Sequence, residues 1–82
     1  MKRVLKFSAS WCQPCKMLAA TLETITTDVP VSEIDIDDNE QYAREFGIRG
    51  VPTMVMLDGN TEIKRKSGMM TKSELEAWLN VE

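Results

Sequence analysis

The sequence predicts an α/β fold, a four-stranded mixed sheet with helices on both faces, in the order β-α-β-α-β-β-α. Three observations predict it. Short β-rich runs alternate with helix-period apolar patterns early in the chain, so strand, crossover helix and strand make a right-handed parallel pair. Asp58-Gly59-Asn60 joins two later β-rich runs through a turn too tight for anything but an antiparallel hairpin. Thr71-Lys72-Ser73-Glu74 has the form of a capping box and opens a last helix.

Each element follows in order. Val4, Leu5 and Phe7 mark a strand from Arg3 to Ser8, placed inside the sheet because it leads straight into the cysteines. Cys15, Leu18, Leu22 and Ile25 recur at helical spacing, which predicts an amphipathic helix over residues 13–26, with Asp28 and Pro30 closing it. Val31 to Ile36 is a second strand, with Ile34 and Ile36 on one face. Asp37-Asp38-Asn39-Glu40 reads as another capping box, for a helix through Phe46 that Gly47 stops in a left-handed conformation. Thr53 to Leu57 and Thr61 to Lys66 are the hairpin strands, broken by Gly68. Leu75, Trp78 and Leu79 give the final helix one apolar face.

Composition narrows the function. The 82 residues, 43% hydrophobic and 28% charged, suit one small globular domain spanning 1–82. A net charge of −3 makes no electrostatic case for nucleic acid or an anionic membrane, and Lys64-Arg65-Lys66 reads as a solvated strand edge. No apolar window approaches the roughly 18 residues that cross a bilayer. Lys6 interrupts the only segment that could imitate an export signal, so a reducing cytoplasm is the expected compartment.

The chemistry lies in Trp11-Cys12-Gln13-Pro14-Cys15-Lys16, which holds both cysteines of the chain. An intramolecular zinc site needs about four ligands, and there is neither a histidine nor a second cysteine pair. A structural bridge across so short a separation constrains little of the unfolded chain. Thiol–disulfide exchange accounts better for the pattern. A thiol at a helix N-terminus meets idle N–H groups and the positive end of the helix dipole, which favour the attacking thiolate. Pro14 suits the first helical turn and stiffens the loop between the sulfurs.

Ser10-Trp11-Cys12-Gln13-Pro14-Cys15-Lys16 resembles the thioredoxin active site. Phe46-Gly47-Ile48-Arg49-Gly50-Val51-Pro52-Thr53 is similar to the thioredoxin segment with the cis-proline, and Lys66-Ser67-Gly68 to the strand and glycine beside it. The likeness runs from about Val4 to the end and implies a thioredoxin-like fold. It implies that Cys12 is the exposed nucleophile forming a mixed disulfide and that the more buried Cys15 resolves it. It also implies a cis Pro52 that sets the Val51 backbone against the sulfurs. Trp11, Pro14, Val51, Pro52, Gly68 and Met69 would bind the substrate.

Several departures stand out. The expected fold lacks the strand-helix unit that precedes the first strand in longer thioredoxins; Gln13 stands where glycine is usual; Ala20 replaces a proline that commonly kinks this helix; and Ser8 replaces an active-site tryptophan. Thioredoxins usually carry a buried aspartate before the first cysteine, with a lysine on the neighbouring strand. Here those positions hold Lys6 and Glu33, expected as a buried pair with its charges exchanged that tunes thiol pKa and moves protons. The competing reading lets Lys6 snorkel to solvent and leaves Glu33 on a wet face.

The resemblance thus implies a cytosolic disulfide reductase, monomeric and needing no bound cofactor. An NADPH- and flavin-dependent thioredoxin reductase would supply electrons, and ribonucleotide reductase or peroxidases would be the oxidised targets. The alternatives are a glutaredoxin-like enzyme coupled to glutathione, or a thioredoxin-fold binding subunit whose redox activity is incidental. Trp11, and the absence of an acidic residue just after Gly68, favour a protein partner over glutathione.

Overall fold

The computed structural model describes residues 1–80. The elements are β1 (Lys2–Ser8), α1 (Gln13–Glu23), β2 (Val31–Asp35), α2 (Glu40–Glu45), β3 (Thr53–Asp58), β4 (Thr61–Ser67) and α3 (Lys72–Asn80). The sheet runs β2-β1-β3-β4. β1 is interior as expected, parallel to β2 and antiparallel to β3, and β3 pairs antiparallel with β4 across a register shift at Met56/Leu57. Alternation along β1 sends Val4 to one face and Leu5 and Phe7 to the other. On the first face Val4, Met54 and Met56 pack with Leu18 of α1 and Leu75 and Leu79 of α3. On the second, Leu5, Phe7, Val55 and Leu57 meet Ala43, Tyr42 and Phe46 of α2 and its end. Phe7, Tyr42 and Phe46 form a three-ring cluster with centroids 5.2–6.1 Å apart.

Local chemistry corrects two expected boundaries. α1 stops at Glu23, before Ile25, because the Thr24 hydroxyl donates to the Thr21 carbonyl (2.7 Å) and competes with the helical ladder. The capping box expected at Asp37-Asp38-Asn39-Glu40 does not form. Asn39 is the N-cap of α2 but makes no capping bond; its Nδ2 donates instead to the Asp35 carbonyl. The second box does form: Glu74 N donates to Thr71 Oγ1 (3.2 Å) and Thr71 N to Glu74 Oε1 (2.8 Å). Gly47 and Gly59 take the left-handed conformations that their turns require, with φ of 66° and 64°. Trp78 is only partly buried, beneath the Lys64 ammonium at 5.0 Å from its ring centroid. Lys64 thereby leaves the solvated edge assigned to it, although Arg65 and Lys66 stay exposed.

Candidate active site: a cystine at the start of α1

β1 ends at Ser8, and the chain turns at once into α1. Cys12 is the N-cap of that helix, with extended backbone (φ −94°, ψ 106°), and Pro14 sits in the first turn. A sulfur thus occupies the place of the usual capping oxygen. The Cys15 backbone N–H donates to Cys12 Sγ at 3.2 Å, using a donor that the helix start leaves idle. Cys12 and Cys15 are joined as a disulfide with a Cα–Cα separation of 5.3 Å. Opposite them the Val51–Pro52 peptide is cis, and the Val51 carbonyl oxygen lies 3.7 Å from Cys12 Sγ. Gly68 N donates to the Pro52 carbonyl (2.8 Å), so the end of β4 closes on the same corner.

Burial corrects one expectation. Cys12 is as enclosed as Cys15, each 4% exposed, because both pack with Ala9 under Ile36 and Val51. What distinguishes the sulfurs is bonding: Cys12 Sγ receives the backbone N–H, and Cys15 lines a groove. The apolar surface near the pair comes from Trp11 (67% exposed) and Met69 (40%), with Val51 and Gly68 half-buried and Pro14 exposed. Pro52 itself is buried and presents little to a partner.

Behind the cystine, Lys6 and Glu33 are register partners across the parallel strands, with Lys6 Nζ 3.8 Å from Glu33 Oε1. The lysine side chain is 5% exposed and does not snorkel; the glutamate is 62% exposed. The pair exists with its charges in the expected places, but only its cationic half is buried. Glu33 carries a second restraint, since Ser8 Oγ donates to its Oε2 at 2.8 Å. A groove of about 430 Å³ runs beside Cys15, between Lys16 and Ala19 of α1 and Glu33 and Asp35 of β2. Among the described residues no group of acidic, cysteine or histidine side chains is arranged to hold a metal ion.

Two functional candidates escaped the sequence reading. Trp11 Nε1 donates to Asp37 Oδ2 (3.0 Å), and Asp35 Oδ1 accepts from the Asp37 and Asp38 backbone N–H groups (2.8 and 3.4 Å). The signal available was the run Glu33, Asp35, Asp37 at period two, with aspartates at a strand end where side chain-to-backbone turns are common.

A cystine capping a helix, facing a cis-proline turn at the end of a mixed sheet, defines a thiol–disulfide oxidoreductase. Comparison with known proteins makes this specific. The thioredoxin family profile matches residues 1–81. A thioredoxin of Pseudomonas aeruginosa is 37% identical over 82 residues, covering 94% of this chain and 75% of that protein. A bifunctional thioredoxin reductase/thioredoxin of Mycobacterium leprae is 38% identical over 76 residues, covering 88% of this chain but only 17% of the fusion protein. Among solved structures, a point-mutant thioredoxin from Halobacterium salinarum superposes with a TM-score of 0.88 at 34% identity, covering 95% of this chain and 71% of that one. Thioredoxin-2 of a malaria parasite gives 0.90 at 28% identity, covering 100% and 84%. The chain belongs to the thioredoxin family, and the family's dithiol–disulfide oxidoreductase activity goes with it.

Proposed function

We propose that the protein reduces disulfides of other proteins through a mixed disulfide on Cys12 that Cys15 resolves. The observation carrying this division of labour is the Cys15 N–H donated to Cys12 Sγ at the start of α1. In the reduced protein the same donor and the helix dipole would stabilise a Cys12 thiolate. That thiolate attacks one sulfur of the substrate disulfide; the other leaves as a thiolate and takes up a proton. Cys15, deprotonated in turn, attacks Cys12 Sγ. The Cys12–substrate bond breaks, the second substrate sulfur leaves, and the protein is left as the cystine. The two electrons of the dithiol thus end on the substrate.

Trp11 and Met69, with Val51 and Gly68 between them, supply the apolar contact around the sulfurs, and the Val51 carbonyl offers an acceptor to an extended substrate segment. Pro14 and Pro52 shape this surface more than they cover it. Lys6 and Glu33 tune the thiols: the buried ammonium favours thiolate, and Glu33, in the groove beside Cys15, takes its proton toward water. Family members are in general reduced by thioredoxin reductase, and one relative carries both activities in one chain. For this protein we infer a flavin- and NADPH-dependent reductase of that kind as electron donor. Targets would be oxidised enzymes such as ribonucleotide reductase or peroxidases, met in the cytosol.

The decisive experiment is trapping. Cys15→Ser removes the resolving thiol, so target proteins are expected to accumulate as dithiothreitol-sensitive adducts on Cys12. Cys12→Ser is expected to yield none. Adducts that form equally on Cys12→Ser would reverse the assigned roles, and turnover with glutathione plus its reductase but not with thioredoxin reductase would make the enzyme glutaredoxin-like.

A further inference from the structure

The peptide carbonyls of the turn Gly50-Val51-Pro52 go to different places, and their sorting leaves Val51 open beside the cystine. The Gly50 carbonyl accepts from Thr53 Oγ1 at 2.7 Å, and the Pro52 carbonyl from Gly68 N at 2.8 Å. The Val51 carbonyl faces Cys12 Sγ at 3.7 Å, but a cystine sulfur has no proton to donate, so this oxygen stays free as an acceptor. Among the described residues none accepts a hydrogen bond from the Val51 N–H either. Thr53 is 3% exposed, and Ser67, its register partner on β4, lies with Oγ 3.2 Å from Thr53 Oγ1. A hydroxyl has one proton to give. Thr53 gives its proton to Gly50, so Ser67 gives its own to Thr53. The two hydroxyls form a directed relay from β4 into the turn.

We propose that Ser67 and Thr53 are positioning residues for substrate recognition, their hydroxyl relay pinning the Gly50 carbonyl and so aiming the Val51 N–H at a partner's backbone. This rests on the reading of the cystine as the site of protein disulfide reduction. The Gly50 C=O and the Val51 N–H belong to one planar trans peptide and point opposite ways, so holding the carbonyl on Thr53 turns the N–H away from it. Gly50 is exposed and has no side chain to hold that peptide plane; the Thr53 hydroxyl does it. Val51 precedes a proline, which favours extended backbone, and in extended backbone the N–H and C=O of one residue share a side. Val51 then offers the donor and the acceptor that one extended residue of a partner exchanges in a strand pair. An unheld peptide would be ordered only on docking, at a cost in affinity. The relay therefore selects disulfides flanked by polypeptide over small disulfides that have no peptide groups.

The test compares a protein disulfide with dithiobis(nitrobenzoate), a disulfide without peptide groups. Thr53→Val keeps the side chain's shape and removes its hydroxyl. It is expected to raise KM for the protein disulfide about threefold to tenfold, the range of one hydrogen bond, with the smaller change in kcat. The loss with dithiobis(nitrobenzoate) should be far smaller. Thr53→Ser keeps the hydroxyl and should restore KM. Ser67→Ala, at an exposed position, should raise KM in the same sense by less, and should add nothing in the Thr53→Val background. The backbone order parameter of the Val51 amide, from nitrogen relaxation, should fall in Thr53→Val and recover in Thr53→Ser. A wild-type KM in Thr53→Val overturns the proposal, as does an equal loss with dithiobis(nitrobenzoate) or a failure of Thr53→Ser to rescue. If the unmutated protein reduces the small disulfide but no protein disulfide, the functional reading fails instead, and the Val51 order parameter still reports whether the relay holds the turn.

Discussion

Lys6 and Glu33 face each other across β1 and β2, and the asymmetry between them decides what the pair does. The ammonium is enclosed, whereas its carboxylate partner is 62% exposed and screened by water. On the proposed tuning role, the charge of the pair that water leaves unscreened is therefore the positive one. In the reduced protein Lys6→Met is expected to weaken thiolate formation and slow disulfide exchange about threefold to tenfold near neutral pH, with little loss of fold, because the glutamate left behind is already solvated. Glu33→Gln removes the screening charge and should shift thiolate formation the opposite way. The check is the pH dependence of alkylation by iodoacetamide. Profiles of Lys6→Met and wild type that superpose from about pH 6 to 9 would sink the role. Nothing in the residue pattern alone told a buried lysine from a snorkelling one. That depended on its place on an interior strand, between Glu33 of β2 and Met54 of β3.

At the scale of elements, the helices show how one sequence signal can succeed once and fail once. Thr71 and Glu74 bond each other and make their reciprocal cap on α3. Thr71→Ala is expected to lower Tm by roughly 4–8 °C, about the value of one cap in a domain of this size. The cap also carries a pH dependence. The backbone N–H of Thr71 holds the Glu74 carboxyl below the usual carboxylate range, and its hydroxyl adds to this. A depressed carboxyl stabilises the fold fully above its unfolded-state pKa, and that contribution is lost as pH falls through the folded value. Between about pH 5 and 3, Tm of Glu74→Gln should therefore fall less than that of wild type, as thermal melts would read. The strand–helix alternation, the hairpin at Gly59 and this cap were legible because each is a local agreement between pattern and backbone need. The first cap, the end of α1 at Thr24 and the Trp11–Asp37 bond were not. Each turns on a polar side chain with several possible partners, and a contact 26 residues away in the chain chose among them at Asp37. The two thiols and Pro52 were legible for the opposite reason, since few arrangements other than a reactive turn use them together.

In the whole molecule one sheet serves two cores, one closed on its far side by α1 and α3 and the other by α2. Phe7 lies fully buried against Tyr42 and Phe46 on one face, while Trp78 flanks the other. Phe7→Ala should cost about 3–5 kcal/mol, a large share of the ~5–15 kcal/mol typical of a whole domain. Because the two cores share β1 and β3, the loss should not stay on one face. Tyrosine absorbance from Tyr42 and tryptophan fluorescence from Trp78 are expected to report one coincident, lowered transition. Separate midpoints would mean the layers unfold independently. The central position of β1 has a consequence in time as well. Edge strands β2 and β4 each have a partner on one side only, whereas β1, like β3, is interior and is paired on both sides from Val4 to Phe7. Openings that start at the rim therefore reach these two strands last. Cys12 is four residues beyond the end of β1, so the cystine hangs from one of the two strands expected to open last. Fraying at the periphery can come and go many times within the life of one mixed disulfide without disturbing the geometry on which its resolution depends.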